Sequence, residues 1–130
     1  MRCPSCKKTD TLRSWTGALQ VMGVEIVAHG RRCRSCGETL YEAGELERQE
    51  RELATALVAR GIRTGQEFKH VRKIAGLRAN DVAEMFGVRP ETVSRWERGE
   101  GELPRTAAFA LGQLYEHPKI TRQKLEAFAQ

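Results

Sequence analysis

The residues with the clearest chemical signature are four cysteines, which form two Cys-x-x-Cys pairs near the N-terminus. A two-residue spacer lets both thiolates of a pair reach one Zn²⁺ ion at about 2.3 Å. The 26 residues between Cys6 and Cys33 are enough for a β-hairpin that returns the second pair to the first. In a reducing cytoplasm such a pattern indicates a metal site before a disulfide. The sequence therefore predicts one structural Zn²⁺ per chain, with the ligands Cys3, Cys6, Cys33 and Cys36.

A redox function is the alternative for these cysteines. A thiol oxidoreductase needs one Cys-x-x-Cys pair, usually within a βαβ unit, whereas this chain has two matched pairs in a β-rich segment. Four thiolates also fill a tetrahedral zinc shell and leave no open position for catalysis. We therefore expect no enzymatic activity, and one bound zinc with no free thiols would exclude the redox alternative.

A second chemically informative segment runs from Gly76 to Gly99 and has the pattern of a helix-turn-helix. Ala83 is small where two helices must cross closely, and Gly87 suits the positive φ of the turn. Pro90 fits the first turn of the next helix, where its missing N–H has no intrahelical partner. The segment therefore predicts two short helices joined by a tight turn.

The second of these helices, Pro90–Trp96, is the predicted recognition helix. Arg95 can bond a guanine edge in two places, Glu91 can accept from a cytosine amino group, and the methyl group of Thr92 can touch a thymine. The side chains placed for phosphate contacts are Ser94, Arg89 and Arg98. We also expect Arg72, on the first helix of the C-terminal domain, to pair with Glu97, so that Arg72 supports the fold more than base reading.

Residues 1–44 must bring the cysteine pairs together. They form a small β-rich module in which a Val- and Ile-rich strand is predicted at Leu19–Ala28, with shorter strand candidates at Leu12–Trp15 and Thr39–Tyr41. Gly23 and Gly30 mark bends or turns. This module is the first of three predicted parts of the chain.

Residues 45–65 form a predicted connecting segment. Its helix covers residues 45–60, with Leu46, Leu53 and Leu57 on one apolar face, and it is followed by a glycine-bounded linker. We consider a hinge in this linker as a route by which a partner of the first module changes DNA binding.

Residues 66–130 contain five short amphipathic segments, enough for five helices around one core. Leu125 and Phe128 supply the last of the five apolar faces. The predicted fold is therefore α+β: a small zinc-bound β-rich domain joined by a helix and linker to an all-α helix-turn-helix domain.

Composition adds weaker constraints. The formal net charge is +5 and the pI is near 9.3, which slightly favours a polyanionic partner. No apolar run approaches the roughly 20 residues that span a membrane, and the first residues lack the apolar region of a secretory signal. We therefore predict a cytoplasmic protein with no membrane partner.

At the level of families, the segment Arg72–Gly99 resembles the Xre/Cro-type helix-turn-helix. The matching pieces include Phe86-Gly87-Val88 and the run from Thr92 to Gly99. The whole chain resembles MqsA-type (YgiT-type zinc-finger) antitoxins, because a Cys-Pro-x-Cys start, a second Cys-x-x-Cys-Gly-Glu, a connecting helix and this module occur in that order.

The resemblance implies a function for each part. The cysteine module would hold zinc and bind a toxin, commonly an mRNA-cleaving ribonuclease. The C-terminal domain would form a homodimer and repress its own operon, with recognition helices about 34 Å apart. Arg95 and Glu91 would take the base-reading positions, and Arg60 lies at a position where a linker arginine can bind a DNA phosphate.

Three residues depart from the family pattern. Ala79 stands where a glutamine is frequent, Glu91 replaces an amide, and Arg89 is a poor N-cap where serine is common. We therefore expect a different operator sequence. A free-standing zinc-containing regulator without a toxin is the alternative function, and an adjacent reading frame for a small basic ribonuclease would distinguish the two.

Overall fold

The computed structural model describes residues 1–129, which form three β-strands and six α-helices. These elements fall into two compact units, one spanning Met1–Leu53 and the other beginning at Ala54. The predicted α+β fold, with a cysteine cluster at the N-terminus, is confirmed. None of the helices in the described chain is long and apolar enough to cross a membrane.

A three-stranded antiparallel sheet dominates the first unit. Strands β1 (Leu12–Val21), β2 (Val24–Cys33) and β3 (Thr39–Leu40) lie in the order β1-β2-β3. The single strand predicted at Leu19–Ala28 is wrong, because a hairpin turn at Met22–Gly23 divides that segment. Both turn residues have positive φ, 50° and 77°, as a type I′ turn requires.

Gly30 lies inside β2, so the predicted bend at this position is also wrong. A Cβ atom here would lie 2.5 Å from the backbone oxygen of Leu40. The glycine therefore lets β3 approach β2 closely. Residue 30 is a glycine because of this packing, and not because the chain turns there.

Helix α1 (Glu45–Arg60) has the predicted bounds. Leu53 and Leu57 are buried as expected, but Leu46 is 55% exposed. The first turns of α1 are fixed by polar side chains of Glu45, Arg48 and Glu52.

These side chains bind the part of the β2 edge that the two-residue strand β3 does not cover. Glu45 accepts from the backbone N–H of His29 at 2.8 Å, and Glu52 accepts from that of Val27 at 2.6 Å. The guanidinium of Arg48 donates to the carbonyl of Val27 and to Glu45. Arg48, the His29 N–H and Gln49 hold the pKa of Glu45 well below its usual value. The otherwise unpaired edge groups are thus satisfied by helix side chains.

The second unit contains the predicted five helices after α1. They are α2 (Gly65–Ile74), α3 (Ala79–Phe86), α4 (Pro90–Arg98), α5 (Arg105–Glu116) and α6 (Pro118–Phe128). The buried apolar core comes from the second half of α1 and from α2 to α5, and its largest fully buried side chains are Leu57, Phe68, Val71, Val82, Val93 and Leu111.

Helix α6 does not supply a buried face to this core. Leu125 is only partly buried and Phe128 is 88% exposed, contrary to the expectation for a fifth apolar face. Thr121 nonetheless ties the start of α6 to the end of α5 by a 3.0 Å bond to the carbonyl of Gln113. Helix α6 therefore lies on a core that the preceding helices already fill.

Candidate metal centre and nucleic-acid interface

The structure brings the four cysteine sulfur atoms into one cluster. The Sγ atoms of Cys3 and Cys36 are 3.7 Å apart, those of Cys6 and Cys33 are 3.6 Å apart, and all four lie within 4.8 Å of one another. A sulfur tetrahedron around zinc with bonds of about 2.3 Å has edges of about 3.8 Å. The spacing is far longer than a disulfide bond of about 2.0 Å, so the cluster can hold a metal ion.

Two similar backbone turns present these sulfur atoms. The N–H of Lys7 donates to the carbonyl of Cys3, and the N–H of Gly37 donates to the carbonyl of Cys33, both at 2.9 Å. Lys7 and Gly37 both adopt positive φ, 67° and 77°. The residue directly after each Cys-x-x-Cys pair thus closes a tight turn around its sulfurs.

The thiols in this cluster differ in acidity. A hydrogen bond between the Cys33 sulfur and the Thr11 hydroxyl, 3.1 Å apart, and a second one with the backbone of Cys36 lower the pKa of Cys33 to about 6. The backbone N–H of Glu38 lowers the pKa of Cys36, but burial and the neighbouring thiols outweigh it and raise that pKa to about 12. Four adjacent thiols therefore ionise together only if a cation compensates their charge, as a bound metal does.

The turn between α3 and α4 has the geometry expected of a helix-turn-helix. Gly87 ends α3 with a φ of 68°, and Pro90 opens α4. The N–H of Val88 donates to the carbonyl of Ala83 at 3.0 Å, and Ala83 is buried between the helices. These residues occupy the places that the sequence predicted for them.

Three contacts fasten α4 to α2. The rings of Phe68 and Trp96 meet edge to face, with centroids 5.9 Å apart. Arg72 donates to both carboxylate oxygens of Glu97, at 2.6 and 2.9 Å, so the predicted pair is confirmed. At Gly65 a Cβ atom would lie 1.9 Å from the carbonyl oxygen of Trp96, so this glycine serves close helix packing.

The opposite side of α4 faces away from the core. Glu91 and Arg95 are exposed, Thr92 and Ser94 are partly exposed, and Val93 between them is buried. Arg89 is exposed at the N-cap position and makes no side-chain capping bond. The predicted DNA-reading residues on this helix therefore share one accessible side, with Arg98 at its end.

Three predicted phosphate-contacting side chains, those of Arg98, Ser94 and Arg60, already have protein partners. Arg98 donates to Ser94 at 2.8 Å and to both oxygens of Glu100 at 3.0 and 3.2 Å. Arg60 lies in the last turn of α1, and its guanidinium binds the buried carboxylate of Glu67. The structure therefore places Glu100 and Glu67 against two arginines that were predicted to bind DNA, and the sequence did not predict these two carboxylates.

A sequence signal for Glu67 existed. Thr64 and Glu67 form the Thr-x-x-Glu pattern of a capping box, and Thr64 accepts from the N–H of Glu67 at 3.2 Å. The Glu67 carboxylate, however, accepts from the N–H of Arg63 instead of the N-cap residue. No equally local pattern marks Glu100.

The helix-turn-helix with its outward polar side and the four-thiol cluster together indicate the class of protein, which is a small transcription regulator with a metal-binding module. Comparison with known proteins gives the family. Residues 1–123 match the sequence model of a protein family, which is described as the antitoxin component of the bacterial toxin-antitoxin system, MqsA. The chain therefore belongs to the MqsA antitoxin family, as its motifs predicted.

A second similarity supports the regulator class. A Pyrococcus furiosus protein named as an HTH-type transcriptional regulatory protein is 30% identical over 56 residues, which are 43% of this chain. The match covers only 18% of that relative's length. It therefore bears on a domain of the relative and not on the whole protein.

Proposed function

We propose that this protein is the antitoxin of a type II toxin-antitoxin pair, which represses its own operon and binds its toxin through the cysteine module. One observation supports the DNA-binding part of the proposal. Phe68, Arg72 and Gly65 of α2 hold α4 by its inner side, so the polar side of α4 remains accessible. In this proposal the protein acts by binding operator DNA and its toxin, not as an enzyme.

The proposed contacts divide by chemistry. Arg95 reads a guanine, Glu91 a cytosine amino group and Thr92 a thymine methyl group. Phosphate contacts come from Arg89, Ser94 and Arg98. Arg60 can serve the same purpose only by sharing or leaving its buried partner Glu67.

A promoter gel shift tests the base-reading role. We expect Arg95→Ala to weaken binding to the promoter fragment by about 5- to 150-fold, the loss of one bidentate base contact. Non-specific binding should change much less. Lys119→Ala, which removes an exposed charge from α6, is the matched control. Equal affinities of the Arg95 and Lys119 variants would contradict the proposal.

The metal part of the proposal is one structural Zn²⁺ per chain, bound by Cys3, Cys6, Cys33 and Cys36 in the cytoplasm. The all-sulfur donor set and its tetrahedral spacing support zinc, and the ion would stabilise a module with few buried apolar residues. Elemental analysis should find one zinc per chain, and a strong chelator should melt the sheet of residues 1–44. A metal-free protein with an unchanged sheet would contradict this role.

The outer edge of β1 supports a protein partner for the first unit. Val21 faces Val24 across the two-residue turn. Residues at this position of a hairpin exchange hydrogen bonds, so alternate residues of β1, counted from Gln20, direct their backbone groups outward. These residues are Ser14, Thr16, Ala18 and Gln20. No strand within residues 1–129 pairs with this edge, so an extended segment of the toxin can add to it.

Strand addition can be tested at Ala18. Ala18→Pro removes one outward N–H at an edge strand, where proline is tolerated, and should weaken capture of the neighbouring gene product in co-expression. Ala18→Thr keeps the N–H and is the control. Equal capture by both variants, with the metal retained, would exclude this edge as the toxin site.

The proposed assembly is a homodimer formed through residues 66–130, with residues 45–65 connecting this domain to the metal module. Two recognition helices about 34 Å apart would then enter successive major grooves on one face of the DNA. The exposed side chains of Phe109 and Phe128 provide apolar surface for such a contact. Sedimentation of the free protein measures the assembly directly.

A free-standing regulator is the second candidate, favoured by the regulatory name of the Pyrococcus furiosus relative. Both candidates share the operator contacts and differ in the toxin. Co-purification with the product of an adjacent gene, expected from the resemblance to be an mRNA-cleaving ribonuclease, would favour the antitoxin.

A further inference from the structure

Glu100 is held at the end of the recognition helix by the helix cap. Gly99 adopts a φ of 76°, and the next N–H, that of Glu100, donates to the carbonyl of Arg95 at 2.9 Å. This backbone arrangement directs the Glu100 carboxylate toward Arg98, whose Nε and Nη2 atoms donate to it at 3.2 and 3.0 Å. The cap therefore fixes where the carboxylate lies relative to α4.

The guanidinium of Arg98 is bound on two sides. Its Nη1 atom donates to the Ser94 hydroxyl at 2.8 Å, one turn earlier on the helix. The side chains of Arg98 and Glu100 are 54% and 60% exposed, and pairs this exposed contribute little to folding. A purely structural role for Glu100 is therefore weak, although the pair is well formed.

The electrostatics place Glu100 beside two arginines of the proposed DNA-binding side. Arg98, and to a smaller extent Arg95, lower the pKa of the Glu100 carboxyl group, while Glu100 raises the pKa of Arg98. A carboxylate with two parallel bonds to a guanidinium has the same recognition geometry as a phosphate. Glu100 thus holds an anion on the guanidinium of Arg98, at the end of α4.

We propose that Glu100 occupies, in the free protein, the position that a backbone phosphate of DNA takes in the complex, and that it thereby limits affinity. The inference rests on the proposed operator binding. On association the phosphate replaces the carboxylate on Arg98, and the displaced Glu100 stays near the negatively charged DNA. Ser94 keeps the guanidinium in place during the exchange.

The test compares Glu100→Gln with Glu102→Gln by titrating the protein with its own promoter fragment over a range of salt concentrations. Both variants remove one negative charge, but no bond from Glu102 to Arg98 exists in the described chain. We expect Glu100→Gln to tighten binding by up to about 5-fold at low salt, the equivalent of one exposed ion pair. It should also steepen the slope of log affinity against log salt by up to about one.

A second comparison isolates Arg98. In an Arg98→Gln background, Glu100→Gln and Glu102→Gln should have the same small effect, because the cation that the phosphate would take over is absent. Thermal melts of all variants should match the wild type, since the pair is exposed.

Two results would overturn the inference while leaving operator binding intact. One is an equal effect of the two glutamine variants in the wild-type background. The other is an effect of Glu100→Gln that is as large in the Arg98→Gln background as in the wild-type background. If the wild-type protein binds neither its promoter nor unrelated duplex, the proposed function itself fails and this inference with it.

Discussion

Replacing Arg72 with alanine tests how α4, the proposed recognition helix, is held. The side chains of Arg72 and Glu97 are only 10% and 8% exposed, and Arg72 also donates to the carbonyl of Leu77 at 3.0 Å. Arg72→Ala leaves the Glu97 carboxylate buried without its partner, which costs about 3–5 kcal/mol. In a domain of this size, that loss lowers the melting temperature by roughly 12 °C or more.

The assay is thermal and urea unfolding followed by helical circular dichroism in zinc-saturated buffer. Arg78→Ala is the control, because Arg78 pairs with Asp81 on the surface with 82% of its side chain exposed, and it should cost at most about 1 kcal/mol. The double variant Arg72→Met with Glu97→Leu removes both charges and should recover most of the stability. An Arg72→Ala protein within about 1 kcal/mol of wild type, or a double variant as unstable as the single one, would refute the reasoning.

Three further predictions concern single side chains. Gly65→Ala pushes α2 off the carbonyl of Trp96 and should cost about 1–3 kcal/mol in urea unfolding; an unchanged midpoint would contradict the close contact. Thr11→Val removes the hydroxyl beside Cys33 and should weaken metal affinity about 10-fold in a chelator competition, with Thr11→Ser retaining wild-type affinity; equal affinities of the two variants would exclude this role. Folding lowers the pKa of Glu45 from its ordinary 4.5, so its stabilisation is present above that pH and is lost as the pH falls through the lower folded value. Glu45→Gln should therefore be less stable at neutral pH and show a shallower acid loss in unfolding measured against pH; identical profiles would show that the carboxylate does not contribute.

The helix-turn-helix could be predicted because its signals are local. Gly87 and Pro90 each satisfy a backbone requirement within one turn of their own position. The pair between Arg72 and Glu97 is distant in sequence, yet it followed once the two helices that carry these residues were assigned. For this part of the chain, local backbone chemistry and helix periodicity lead to the same arrangement.

The hairpin could not be predicted in the same way. Its turn places Met22 at a positive φ, which a non-glycine residue adopts uncommonly, and the apolar residues on either side of it look like one strand. Gly30 was misread because its need for glycine comes from Leu40 on another strand. Leu46 was misread because polar bonds from Glu45 to the sheet edge, and not an apolar face, fix the start of α1.

The two arginine–glutamate pairs of the recognition helix have the same chemistry but different consequences, and solvent exposure decides between them. The buried pair of Arg72 and Glu97 cannot exchange partners without leaving a charge in the interior, so it fixes the position of α4. The exposed pair of Arg98 and Glu100 can exchange its carboxylate for another anion at little cost to the fold. Stability is therefore assigned to the inner side of α4 and anion binding to the outer side. Under the proposed function, substitutions at Arg95 or at Glu100 change DNA affinity while the helix keeps its place.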